Sequence, residues 1–333
     1  MPDPVIHAEA LSRSYRVPVR REGLRGAFRD LIDLNYREVA AVREVSFTVE
    51  RGERVAYIGP NGAGKSTTVK MLCGILKPSA GKLRVLGYDP YRERERFVHH
   101  IGVVFGQRTA LWWDLAVLES LRLLQRIYRV DEATFQAQLA RFNDVLGLDK
   151  LLALPARKLS LGQRVIADIA AALLHQPPVV FLDEPTIGLD VAVKGRIRTF
   201  LKSLSDEGTT VLLTTHDLGD VEALAERVLV IDQGQLIFDG PSLELRRDLG
   251  EDNRLVVQVD EGERARLDDV AAALALSWDA EGSGRYSAKY DSSRISTPDL
   301  VRQVLENVDV KDLELRSASM EDVVRDLYER RGR

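Results

Sequence analysis

The sequence predicts an α/β fold: a parallel sheet with a phosphate site at its strand ends, followed by a smaller α+β unit. Three observations predict it. Residues 59–67 read GPNGAGKST, between the strand-like run Arg54-Val55-Ala56-Tyr57-Ile58 and a helix-like run over residues 66–74. Four apolar residues, Val179-Val180-Phe181-Leu182, end in Asp183-Glu184, the pattern of a buried parallel strand. After Gly240-Pro241 the pattern changes to strand, helix, two strands, helix, strand.

The glycine-rich stretch fits G-x-x-x-x-G-K-[ST], and most positions have a chemical task. Gly59, Gly62 and Gly64 let the backbone curl around an anion and take up positive φ. Pro60, Asn61 and Ala63 complete the curl, whose N–H groups form a nest for phosphate. Lys65 brings a cation to the β- and γ-phosphates, the Ser66 hydroxyl can ligate Mg²⁺, and Thr67 follows on the helix. The helix N-terminus adds partial positive charge.

Composition sets bounds. A chain of 333 residues with 45% hydrophobic and 29% charged content suits two or three compact soluble units. No apolar run reaches the eighteen residues of a membrane span, and the start, MPDPVIHAEA, lacks a secretory pattern. Cys73 is the only cysteine, which excludes an internal disulfide and reads as a small core residue. The net charge of −4 gives no global case for nucleic acid. Locally, Arg16, Arg20, Arg21, Arg25 and Arg29 face Glu22 alone, with Leu24, Phe28, Leu31 and Ile32 at helical spacing. Residues 16–29 read either as a basic amphipathic helix toward a membrane or partner, or as a solvated insertion. His99-His100 lacks companions at metal-ligand spacing.

Asp183 falls at a strand's carboxyl end, where it can hold Mg²⁺, and Glu184 can act as general base toward water. Leu159-Ser160-Leu161-Gly162-Gln163 opens a helix twenty residues before Asp183. Ser160, Gly162 and Gln163 can offer hydroxyl and N–H groups to phosphate; alone, they would be an ordinary cap.

With these motifs in order, the chain resembles the nucleotide-binding subunits of ATP-binding-cassette (ABC) transporters. The resemblance covers residues 5–240 and rests on GPNGAGKST, Gln107 in GVVFGQR, LSLGQ, VVFLDEP, Gly188-Leu189-Asp190 and His216 after TVLLTT. It implies a P-loop NTPase cassette: a RecA-like core, an antiparallel β subdomain and a helical lobe at about residues 108–175. Leu161 stands where the family has the first glycine of LSGGQ. LSLGQR, QRTALWWDL and DEPTIGLD resemble bacterial drug exporters of the ABC-2 type, daunorubicin- and viologen-type among them.

The resemblance implies ATP and Mg²⁺, with Tyr15 stacking on adenine and Gln107, Ser66 and Asp183 at the metal. Glu184, His216 and Lys65 are its catalytic residues, His216 as γ-phosphate switch. The family pairs two cassettes head to tail over two ATP, so a homodimer or sibling subunit is implied, with an integral-membrane permease and a place on the cytoplasmic face of the membrane. Trp112 and Trp113 are expected to face that permease. An importer ATPase, or a soluble ABC ATPase on ribosomes or DNA, are the alternatives.

Strands are expected at residues 5–12, 41–50, 53–59, 209–216, 227–234 and 235–240, with helices at 118–128, 132–146 and 163–174. Residues 253–333 read as a ferredoxin-like accessory or regulatory unit: strand 254–259, helix 263–274, a hairpin of 275–279 and 285–290, a helix from Thr297, strand 310–316 and helix 319–330.

Overall fold

A computed structural model describes residues 4–19, 35–106, 108–248, 252–291 and 294–316. The chain divides into two compact units, Met1–Pro241 and Ser242–Arg333.

The first unit runs β1 (Ile6–Val19), β2 (Asn35–Val49), β3 (Arg54–Ile58), α1 (Lys65–Leu72), β4 (Ala80–Val85), a short α2 (Arg94–Phe97) and β5 (Ile101–Phe105). Three helices follow: α3 (Val117–Tyr128), α4 (Glu132–Leu146) and α5 (Leu161–Leu173). The core resumes with β6 (Val179–Asp183), α6 (Val191–Asp206), β7 (Thr210–Thr215), α7 (Leu218–Leu224), β8 (Arg227–Asp232) and β9 (Gln235–Pro241). One sheet has the order β5-β6-β7-β3-β8-β9, parallel except for the β8–β9 hairpin. Its central strands bury nearly every residue; Val55, Tyr57, Phe181 and Leu212 are all closed to solvent. This burial on both faces is why these strands read as unbroken apolar runs rather than alternating ones. A second, antiparallel sheet has the order β2-β1-β4.

Of the helices between β5 and β6, α4 is marked at both ends by its caps. Asp131 accepts from Thr134 N at 2.9 Å to start α4, and Gly147, at φ +70°, ends it. Gln233 and Gly234 both take positive φ, the requirement of the tight turn joining β8 to β9.

The second unit holds α8 (Ser242–Asp248), β10 (Asp252–Val259), α9 (Arg264–Leu274), β11 (Trp278–Gly282), β12 (Arg285–Asp291), α10 (Thr297–Asn307) and β13 (Val310–Arg316). Its antiparallel sheet has the order β11-β12-β10-β13, the ferredoxin-like arrangement expected. It has its own core, with Leu255, Val257, Leu267, Trp278, Leu300 and Val304 buried together. The Trp278 indole donates to Leu267 O at 3.0 Å, which satisfies its buried N–H.

Two expectations need correction. Arg16, Val17, Pro18 and Val19 belong to β1, so no helix begins at Arg16; cross-strand pairing such as Arg16 with Glu38 holds the chain extended there. The rest of that stretch, residues 20–34, lies outside the described residues, as does the expected helix 319–330. Ala275 is no strand residue: at φ +53° it caps α9, and the strand starts three residues later at Trp278.

Candidate nucleotide site

The glycine-rich loop leaves β3 and enters α1. Gly62 and Gly64 have φ of +83° and +111°, where side chains are strained. Gly59 does not, contrary to expectation. It is required for space, since a Cβ there would stand 2.3 Å from Ile231 O. The Lys65 side chain is 6% exposed, with Nζ donating to Gly59 O at 2.6 Å and Pro60 O at 3.2 Å. Burial pulls its pKa below the usual lysine value, against the attraction of Glu184 and Asp183.

Beside the loop, Ser66 Oγ donates to Asp183 Oδ1 at 3.2 Å, and Thr214 Oγ1 donates to the same oxygen at 2.6 Å. Pairing of β6 with β7 sets Thr214 next to Asp183. Glu184 follows at φ +53°, a backbone state that costs about 1–3 kcal/mol and persists only when its surroundings fix it. Its N–H donates to Thr214 O at 3.0 Å. Its Oε1 lies 3.2 Å from His216 Nδ1 and 4.0 Å from Lys65 Nζ.

These groups line two clefts. One, of about 620 Å³, is lined by Asn61, Ser66, Arg108, Asp183, Glu184 and His216 among others. The other, of about 180 Å³, is lined by Ala41, Pro60, Gly62, Gly64, Lys65 and Thr67 among others. Lys65, Ser66, Asp183, Glu184 and His216 are thus brought together, while Gln107 lies outside the described residues.

Tyr15 and residues 160–163 line neither cleft. Tyr15 is half-buried on β1 with the Arg13 guanidinium 4.9 Å from its ring. Ala41 does line a cleft, and its neighbour Ala40 pairs with Ser14. Ser160 caps α5: its Oγ accepts from Gln163 N at 3.3 Å and its N–H donates to Gln163 Oε1 at 2.9 Å. Leu161 stays 36% exposed. Asp190 caps α6, accepting from Val193 N at 2.9 Å. His99 and His100 are exposed, and no metal-binding cluster of His, Cys, Asp or Glu occurs among the described residues.

Sequence reasoning missed Thr214, Arg108 and Ala41. Nothing in the sequence set Thr214 apart from Thr210 and Thr215 on the same strand, and Ala41 and Arg108 had no signal either.

On α5, Asp168 is buried and accepts from Thr109 Oγ1 at 2.7 Å and Ala110 N at 2.8 Å. Burial raises its pKa from 3.8 to about 6 despite those donors. The folded state therefore keeps a proton that the unfolded chain loses between those values, so this group favours folding most below pH 3.8 and its contribution is lost as pH rises through 6. Asp168→Asn should gain stability relative to the unmodified protein between pH 4 and pH 7 in urea titrations, by about 1–3 kcal/mol. A constant difference across that window would refute the assignment.

The parallel sheet, the phosphate loop and the paired carboxylates define a nucleoside-triphosphate-hydrolysing cassette. Residues 42–187 match the family model for ABC transporters. The chain is 33% identical over 295 residues to the daunorubicin/doxorubicin resistance ATP-binding protein DrrA of Streptomyces peucetius, covering 86% of this chain and 88% of that protein. It is 36% identical to Nod factor export ATP-binding protein I of Ralstonia nicotianae, over 74% of this chain and 76% of that protein. Among solved structures, the ATP-binding subunit of an ABC transporter superposes with a TM-score of 0.62 at 26% identity, covering 73% of this chain and 92% of that one. A dimeric bacterial ABC transporter cassette gives 0.59 at 25%, covering 71% and 98%. The chain belongs to the ATP-binding subunits of ABC transporters, and it is an ATPase of that family. No helix among the described residues is long and apolar enough to cross a membrane.

Proposed function

We propose that this ATPase drives an export-type transporter, working as a head-to-tail dimer that closes over two ATP at the cytoplasmic face of a membrane permease of ABC-2 type. The relatives named for drug resistance and Nod factor export support the direction of transport. The observation that carries the dimer is the division of the site. The clefts around Lys65 take no lining from residues 160–163, while Ser160 to Gln163 form a capped, solvent-facing helix start. Such a start has backbone donors to offer phosphate in a second molecule.

In this reading Lys65 holds the β- and γ-phosphates and Tyr15 stacks on adenine. The Ser66 and Asp183 oxygens converge as a hard-cation site would need, so both fit Mg²⁺, with Gln107 as a further ligand. Bound there, the ion neutralises phosphate charge. Glu184 accepts a proton as the water oxygen bonds to the γ-phosphorus and the bond to the ADP oxygen breaks. His216 orients Glu184 and reads the γ-phosphate. Trp112 and Trp113, 41% and 51% exposed, form the permease-facing surface. The unit after Pro241 serves as an accessory or regulatory domain.

Sedimentation of the hydrolysis-deficient Glu184→Gln protein tests the division of the site. ATP should produce a dimer, and a second change, Ser160→Arg, should abolish that dimer while the monomer still binds ATP. A dimer that survives Ser160→Arg would overturn the proposal.

A further inference from the structure

Glu184 and His216 stand on two separate turns, and one buried carboxylate reaches the flank of each. Asp220, on α7, is fully closed to solvent. Its Oδ2 accepts from Thr186 Oγ1, two residues after Glu184, and from Thr215 Oγ1 at 3.3 Å, one residue before His216. Its Oδ1 accepts from Arg198 Nε at 2.8 Å and Nη2 at 2.5 Å. Thr186 and Thr215 are 1% and 2% exposed. We propose that Asp220 is a positioning residue that sets the Glu184–His216 spacing through Thr186 and Thr215, a role resting on the functions proposed for that pair.

The chemistry favours this over simple core filling. A buried carboxylate is unfavourable unless charged and hydrogen-bonded partners surround it, whereas an apolar residue, like Val221 and Leu224 on the same helix, needs none. Asp220 meets the condition with donors from three elements, and two of those elements carry the reacting groups. The strained backbone at Glu184 is thus gripped on both sides: Thr214 O holds its own N–H, and Asp220 holds the threonine that follows. Arg198 brings in the third element. It sits on α6, which Asp190 caps, and its Nη2 also lies 3.8 Å from Asp217 Oδ1. Lys194, a turn earlier on α6, pairs with Asp217 as well. Asp220 and Asp217 therefore tie the turns bearing Glu184 and His216 to the helix capped by Asp190.

Thr186→Val removes one hydroxyl, keeps the shape and leaves the Asp220–Arg198 pair in place. A small displacement of a catalytic group is enough to slow chemistry severely. We expect kcat to fall about tenfold to a hundredfold, KM for ATP to stay within about twofold and the melting temperature to hold. Thr186→Ser, which retains the hydroxyl, should recover most of the rate. A Thr186→Val enzyme as fast as the unmodified one, a loss matched by unfolding, or a Ser variant no better than Val would each overturn the role of Asp220. Glu184→Gln, assayed alongside, separates the two levels. If it still hydrolyses ATP, the catalytic assignment itself fails. If it is inactive while Thr186→Val is fully active, only the positioning role fails.

Discussion

Glu184→Gln should slow ATP hydrolysis by about a hundredfold to ten-thousandfold, the usual worth of a positioned general base, while ATP remains bound. The substitution keeps the side chain's size and an oxygen able to accept from His216. It removes only the capacity to take a proton from water. Because Glu184 holds its unusual backbone through its own N–H and Thr214 O, the fold around it should be unchanged, and melting curves should overlay. Steady-state phosphate release and bound nucleotide after gel filtration give the two readings. Hydrolysis at the unmodified rate would remove Glu184 from the mechanism.

Lys65→Ala should weaken ATP binding by about tenfold to a hundredfold, the worth of a charge-assisted hydrogen bond at 1.5–3 kcal/mol. The Lys65 ammonium is almost wholly buried and rests on the carbonyls of Gly59 and Pro60 at the mouth of the loop. It is therefore held close to where phosphate would enter, with little side-chain freedom left to lose. Titration with a fluorescent ATP analogue measures the change; affinity equal to that of the unmodified protein would sink the assignment of the loop. Magnesium-free titrations of the same pair separate the loss of the lysine from any loss of the metal.

Much of the architecture was legible because it depends on local chemistry. The glycine loop, the apolar run into Asp183 and the small unit's strand order all follow from residue type and spacing. Residues 132–146 could be read to the residue because Asp131 and Gly147 mark both ends of that helix. What escaped was set by tertiary pairing. Arg16 opens the basic stretch whose later apolar residues fall at helical spacing, yet β2 lies alongside and holds Arg16 to Val19 extended. Gly59 looked like a conformational glycine and is a packing one, a distinction made by Ile231, far away in sequence. Thr214 and Asp220 come beside the turns bearing Glu184 and His216 only because β7 lies beside β6 and α7 follows it. No spacing rule could have connected them to Glu184.

The start of α5 carries a consequence for how this sequence can change over time. Gln163 and the Ser160 amide are occupied with each other, while the N–H groups of Leu161 and Gly162, in the first turn of the helix, have no acceptor within it. In the proposed dimer, what passes from one molecule to the other's phosphate is then largely main chain, and a main-chain donor is blind to the side chain hung beside it. A leucine can occupy a glycine's place in the motif without altering the message. In that dimer the motif would act through the shape of its backbone, and Leu161 would be accommodated so long as its side chain turns aside.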